Sequence, residues 1–255
     1  EDVSVAPVDA GGVEAEWLTP DAADDDRTIL YLHGGGYALG SPRSHRHMVA
    51  AMAKAARAKA LVIHYRRAPE SPFPAAAEDA GAAYQWLLSQ DIPAAAVTIA
   101  GDSAGGGLTA ATLIALRDRD IELPAAGVCI SPWTDLTNTA ESYTTLADID
   151  PMVTRESIER WTDAYLGDRD PKAPLASPAH ADLGGLPPLL IQVGAAEVLL
   201  DDSRLLADRA QAAGVDVNLE VWPDMIHVWH WFGEYLDEAA AATSKIASFI
   251  QARSL

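Results

Sequence analysis

The segment 97–118 constrains this chain more than any other. An apolar run, VTIA, meets a tight turn, Gly101-Asp102-Ser103-Ala104-Gly105, and a small-residue helical stretch (GGLTAATLIAL) follows at once. A turn this short between a strand and a helix forces strained dihedrals on its central residue and tolerates only small neighbours. It lifts the Ser103 hydroxyl above the strand end and sets it at a helix N-terminus, where the helix dipole favours negative charge.

Similar alternation runs along the whole chain. Residues 28–32, 60–65, 97–101, 126–131, 188–193 and 217–222 are short and apolar, as buried parallel strands are, and 13–18 (VEAEWL) alternates like an edge strand. Helical patterns lie between them, near 44–58, 76–89, 104–118, 202–213 and 233–252. The order predicts an α/β fold, a mostly parallel central sheet with helices on both faces. The 255 residues suit one such domain. Residues 132–187 form a long excursion between two strands, with a helix-like stretch near 154–166. An insertion of that length reads as a cap or lid.

A hydroxyl raised in this way is a nucleophile only with help. His33-Gly34-Gly35-Gly36 follows the strand TILYL. Its glycines let the backbone close on a ligand and turn N–H groups inward. The amides of Gly35, Gly36 and Ala104 are therefore the candidate donors for a tetrahedral oxyanion. The base and its orienting acid follow such a nucleophile in the order acid, then histidine. His33, His45, His47 and His64 precede Ser103 and fail that order. His227 sits in a loop (PDMIH) after the last strand and is the candidate base. His230 reads as a packing or pocket residue, and His180 as surface or supporting shell. After LLIQVG come Glu197, Asp201 and Asp202. Glu197 lies nearest the strand end and is the candidate acid, while Asp201 and Asp202 fit helix N-capping better. Trp133, Met152, Trp161, Trp229 and Trp231 lie in the insertion or beside His227 and are candidates to line an apolar pocket.

Composition narrows the partners. A net charge of −19 repels phosphate backbones and anionic lipid, so neither nucleic acid nor a membrane is an expected partner. No apolar run approaches the ~20 residues of a spanning helix. The one cysteine, Cys129, excludes an internal disulfide, and a cytoplasmic location is expected, with room for a leader ahead of Glu1. Neither His45/His47 nor His227/His230 has companion ligands, and no phosphate-binding glycine loop is present. The expectation is no metal and no cofactor.

HGGG at 33–36, YRRAPESPFPAA at 65–76, GDSAGG at 101–106, SPWTDL at 131–136, GLPPLLIQVG at 185–194 and DMIH at 224–227 resemble, in order, the hormone-sensitive-lipase-like branch of the α/β-hydrolases. The resemblance implies carboxylesterase action on short- to medium-chain acyl esters, no metal, and a cap over the site. It also implies Ser103 as nucleophile, His227 as base, and oxyanion donors at Gly35, Gly36 and Ala104. Three features depart from the family pattern. Glu197-Val198-Leu199 stands where Asp-Pro-Leu is usual, so Glu197 is the matching acid. Arg67 replaces a commonly apolar residue. About 27 residues precede the oxyanion strand, so the N-terminal helices that form part of the family's cap are absent here or were removed, and the cap reads as incomplete. Relatives often dimerise through the last strand and helix, which makes a homodimer an expectation here. EVLLDDS and HVWHWF look most like a subgroup that includes lactone hydrolases and acetyl hydrolases. The alternative activities are thus a lactone hydrolase or an acetyl-amide deacetylase with the same three residues. The rival from another class is a non-catalytic small-molecule receptor on the same fold. Such receptors tend to lose the base, whereas Ser103, Glu197 and His227 are all present.

Overall fold

The computed structural model describes residues 2–254. Its strands are β1 (Val3–Asp9), β2 (Glu14–Pro20), β3 (Thr28–Leu32), β4 (Lys59–Ile63), β5 (Val97–Asp102), β6 (Ala126–Ile130), β7 (Leu189–Gly194) and β8 (Val217–Trp222). They form one sheet in the order β1-β2-β4-β3-β5-β6-β7-β8. From β4 to β8 every pairing is parallel, while β2 runs antiparallel to both β1 and β4. Within 13–18, residues 14–18 therefore belong to a strand one place in from the edge. The edge itself is β1, which the sequence pattern does not announce.

The central strands are buried on both faces, and alternate side chains divide between two cores. Ile29 and Tyr31 of β3 pack with Met48, Val49 and Met52 of α1 (Pro42–Ala56) and Ile246 and Ile250 of α7 (Asp237–Arg253). Leu30 and Leu32 face the other way. There Leu87 of α2 (Ala75–Ser89), Leu108 and Leu113 of α3 (Ala104–Asp118) and Leu206 of α6 (Leu200–Ala212) complete the second core. Burying one large aliphatic side chain contributes roughly 1.5–3 kcal/mol, so these two layers supply most of the stability.

Helix boundaries follow local chemistry. Ser41 caps α1 in a reciprocal capping box with Ser44, and Pro42 begins the helix. The insertion contributes a short turn, α4 (Ser142–Thr145), and α5 (Arg155–Leu166), which Thr154 and Ser157 cap in the same reciprocal way. Near the C-terminus, the helical pattern over 233–252 corresponds to α7, which begins only at Asp237, after a 3₁₀ turn at Trp229–Phe232. Among the described residues no helix is long and apolar enough to cross a membrane. The loops at the carboxyl ends of β3, β5, β6, β7 and β8 lie along one edge of the sheet. That edge is where open α/β sheets form their ligand crevices.

Candidate active site

Ser103 sits between β5 and α3 with φ 55° and ψ −121°, a conformation that costs an L-residue on the order of 1–3 kcal/mol. Hydrogen bonds on both sides impose it. Its N–H donates to Ile130 O (2.8 Å), and its carbonyl accepts from Trp133 N (3.0 Å) and Gly107 N (3.1 Å). The turn also needs close approach. A Cβ on Gly105 would lie 1.9 Å from the Leu32 carbonyl oxygen. No side chain caps α3, so its first N–H groups have no partner in the helix and none from a cap.

The loop after β3 passes beside this turn. Gly35 and Gly36 have φ of 115° and 60°, backbone shapes that favour glycine. Gly34 donates its N–H to Asp102 Oδ1 (3.1 Å). The N–H groups of Gly35, Gly36 and Ala104 donate to no protein acceptor among the described residues. The loop is anchored around them. Tyr65 Oη donates to His33 O (2.7 Å), and Arg67, the departure noted above, donates to Gly40 O (2.6 Å). The His33 ring stacks on Tyr65 with centroids 4.2 Å apart. Burial pushes the pKa of that ring down to about 4, so it is neutral.

His227 and Glu197 meet from the loops after β8 and β7. His227 Nδ1 lies 2.6 Å from Glu197 Oε2. Glu197 is fully buried, and its Oε1 accepts from Ser131 Oγ (2.7 Å) and Gly194 N (2.6 Å). Ser131 Oγ in turn accepts from Val228 N (3.1 Å), so one hydroxyl ties the acid to the histidine loop. Burial disfavours a charged His227, but the Glu197 carboxylate and its hydrogen bond outweigh that and raise the ring above its ordinary value. Ser103 and His227 line the same cavity without a hydrogen bond between them, and such bonds often tighten only with substrate bound. Ser131 escaped the sequence reasoning. Its only signal there was its place at the head of SPWTDL, directly after a buried strand.

Neither Asp201 nor Asp202 caps α6. Both lie inside its first turn and reach out to the insertion: Asp201 accepts from Ser142 N (2.9 Å), and Asp202 from Thr134 N and Asp135 N (both 2.9 Å). His180 is a quarter exposed and faces Asp135 Oδ1 at 3.0 Å, within the insertion. His230 is buried against Gln192 Oε1 (2.8 Å) and is a packing residue.

The cavity holds about 290 Å³. Of the five pocket candidates, Met152, Trp161 and Trp231 line it. Trp133 and Trp229 do not. Both are buried, Trp133 in the larger core with its indole N–H on Asn138 Oδ1, and Trp229 against Trp222. Trp161 lies so close over Gly36 that a Cβ there would fall 2.4 Å from the indole.

Comparison with known proteins agrees with this fold. A family described as alpha/beta hydrolase fold matches residues 29–231. An acetyl-hydrolase of Streptomyces hygroscopicus is 54% identical over 96% of this chain and 81% of its own length. The acetyl-hydrolase LipR of Mycobacterium tuberculosis, described as putative in its own name, is 37% identical over 94% and 78%. The crystal structure of an esterase from the bacterial hormone-sensitive lipase family superposes with a TM-score of 0.98 at 51% identity, over 99% of this chain and 85% of that one. With an elbow serine, a glycine loop with unclaimed amides and these relatives in hand, the chain belongs to the α/β-hydrolase-fold family, in its hormone-sensitive-lipase-like carboxylesterase branch.

Proposed function

We propose that the chain hydrolyses short- to medium-chain acyl esters through Ser103, His227 and Glu197 by way of an acyl-enzyme. One observation carries this reading. Glu197 Oε2 lies 2.6 Å from His227 Nδ1, in a site where Ser103 and His227 share a cavity with Gly35 and Gly36, whose amides are unclaimed, as is that of Ala104 next to Ser103. Glu197 accepts the Nδ1 proton and leaves Nε2 with its lone pair toward the cavity. His227 then removes the Ser103 proton as Oγ attacks the ester carbonyl. The amides of Gly35, Gly36 and Ala104 receive the oxyanion, and removal of one such donor elsewhere slows turnover by roughly 10²–10³-fold. His227 returns the proton to the departing alcohol. It next deprotonates a water that attacks the acyl-enzyme, and Ser103 regains its proton as the acid leaves.

Residues 1–255 are read as one catalytic domain in which 132–187 serves as the lid. Met152 and Trp161 of that segment form part of the cavity wall, and a space of about 290 Å³ suits a short acyl chain better than a long one. The similarity to acetyl-hydrolases, whose names do not specify ester or amide, keeps acetyl amides beside esters as test substrates.

The test is hydrolysis of p-nitrophenyl esters from acetate to palmitate, with lactones and acetylated amines alongside. A serine-directed phosphonate is included as inhibitor. Inhibitable turnover that falls beyond medium chains and disappears in Ser103→Ala supports the reading. Substantial turnover in Ser103→Ala sinks it, and so does a phosphonate that labels another residue.

A further inference from the structure

Beneath the glycine loop lies a polar constellation that these chemical steps leave unused. Asp102 precedes the nucleophile and is almost fully buried. Its Oδ1 accepts from Tyr31 Oη (2.8 Å) and Gly34 N (3.1 Å), and its Oδ2 faces His45 Nε2 at 3.3 Å. The loop rests directly on this carboxylate, since a Cβ on Gly34 would fall 2.3 Å from Oδ2. On its other side, His45 Nδ1 faces Ser41 O (3.3 Å) and Ser44 Oγ (2.9 Å). Ser44 Oγ gives its own proton to Ser41 O (2.9 Å), which leaves a lone pair for the ring. Both nitrogens of His45 thus face acceptors. With the Asp102 carboxylate on one nitrogen and the Ser41 carbonyl on the other, the ring is set to carry a proton on each, the imidazolium form.

Burial opposes that charge, but the Asp102 charge and its hydrogen bond outweigh burial and raise His45 above its ordinary value. For Asp102, burial alone would raise the carboxyl, and the His45 charge together with the His45 and Tyr31 hydrogen bonds brings it below its ordinary value. The other titratable groups around the pair are His33 and Tyr65 on the loop side, with His64 behind His33, and His227 and His230 on the last loop. His33 and His230 are neutral, held by burial at about 4 and about 3. The Trp231 ring meets His45 edge-on at 4.9 Å, and both line the cavity together with Asp102.

We propose that His45 is a positioning residue for ester hydrolysis: its imidazolium neutralises Asp102, and Asp102 pins Gly34, which sets the oxyanion loop against the nucleophile. This rests on the roles proposed above for Ser103 and the loop amides. Loss of the His45 proton removes one donor from the chain Ser41–His45–Asp102–Gly34 and loosens the loop. Turnover then declines on the alkaline side, where a neutral His227 base alone predicts a plateau.

The experiment is the pH profile of kcat and KM for wild type and His45→Gln on a soluble p-nitrophenyl ester. The glutamine reaches Asp102 but carries no charge. Expected is a fall in kcat of about 10- to 100-fold with KM changed by less than about threefold, as for a contact that matters in the transition state. The alkaline limb of the wild type should vanish in the variant. Wild-type kcat in His45→Gln, or an unaltered alkaline limb, overturns the role of His45 alone, whereas an active Ser103→Ala overturns the underlying reading. If His45→Gln does not fold, NMR of isotope-labelled histidine in the wild type decides. At about pH 8, where an unperturbed histidine is neutral, the ring with magnetisation transfer to Trp231 should be doubly protonated. A neutral tautomer there refutes the proposal.

Discussion

Glu197→Gln exchanges one oxygen for an amide nitrogen in a fully buried side chain, and the surroundings dictate how the amide must turn. Oε1 accepts two protons, from Ser131 Oγ and Gly194 N, while Oε2 accepts from the His227 ring. An NH₂ placed against the first pair would oppose two donors, so the amide carbonyl goes there and the NH₂ faces His227 Nδ1. A donor at that position favours the tautomer with Nδ1 bare and the proton on Nε2. The ring then cannot accept the Ser103 proton. The equivalent Asn substitution in a serine protease slows kcat about 10⁴-fold, and a loss of roughly 10³–10⁴ is expected here. That corresponds to about 4–5.5 kcal/mol of transition-state stabilisation. Both buried donors keep an acceptor, so the melting temperature should move by only a few degrees, the shift expected for about 1 kcal/mol. The assay is kcat on p-nitrophenyl butyrate at about pH 8, paired with a thermal melt. A kcat within tenfold of wild type, with the melt unchanged, would refute Glu197 as the group that orients His227.

Three further outcomes follow from the same geometry. Burial pushes the Asp202 carboxyl up to about 7, so the native state keeps a proton that the unfolded chain releases from near 4 upward. Its contribution opposes folding increasingly between those values, by at most ~4 kcal/mol. Asp202→Asn should therefore gain melting temperature over wild type at about pH 8 relative to about pH 5, and a difference independent of pH would be inconsistent with that. Activity requires a neutral His227, whose pKa is raised, so the acid limb of kcat/KM should have its midpoint above 6.5 in wild type and lower in Glu197→Gln, where burial loses its opposing carboxylate. Trp161→Ala should open the cavity over Gly36 and raise the octanoate-to-butyrate ratio of kcat/KM by about tenfold or more, tenfold being the low end of what one methylene is worth in an apolar pocket. An unchanged ratio would place the acyl chain elsewhere.

The central strands and the nucleophile turn were legible because burial on both faces and steric demand write themselves into composition. β3 is buried throughout, and Gly101 and Gly105 leave room for backbone that any side chain would strike. β1 was not legible. Its side chains are largely exposed, it contains Pro7, and it is held by backbone pairing to β2, which sequence periodicity does not record. The tryptophans divide in the same way. Trp133 and Trp161 both lie in the insertion, yet one points into the core and the other into the cavity, a difference set by loop geometry and not by residue type. Asp201 and Asp202 read as caps because acidic residues at a helix start usually are, but their acceptor oxygens serve backbone from another segment. His45 was set aside by chain order alone, although its partner stands next to the nucleophile in sequence.

Several attachments of the insertion converge on one short segment, the loop after β7 and the first turn of α6. Ser142 Oγ donates to Val198 O, Asp150 accepts from Val198 N, and Asp201 and Asp202 hold the backbone of residues 142, 134 and 135. That loop also carries Glu197. Substrate shaping and acid placement are therefore inherited together. An exchange of lids between relatives that broke the chain only at 132 and 187 would leave the donors and acceptors of residues 198–202 facing strangers. A workable crossover carries residues 132–203 as one cassette, strand β7 included. Natural variation in the lid should accordingly be accompanied by changes at positions 201 and 202, whose side chains make the contact, even where the nucleophile and histidine stay fixed.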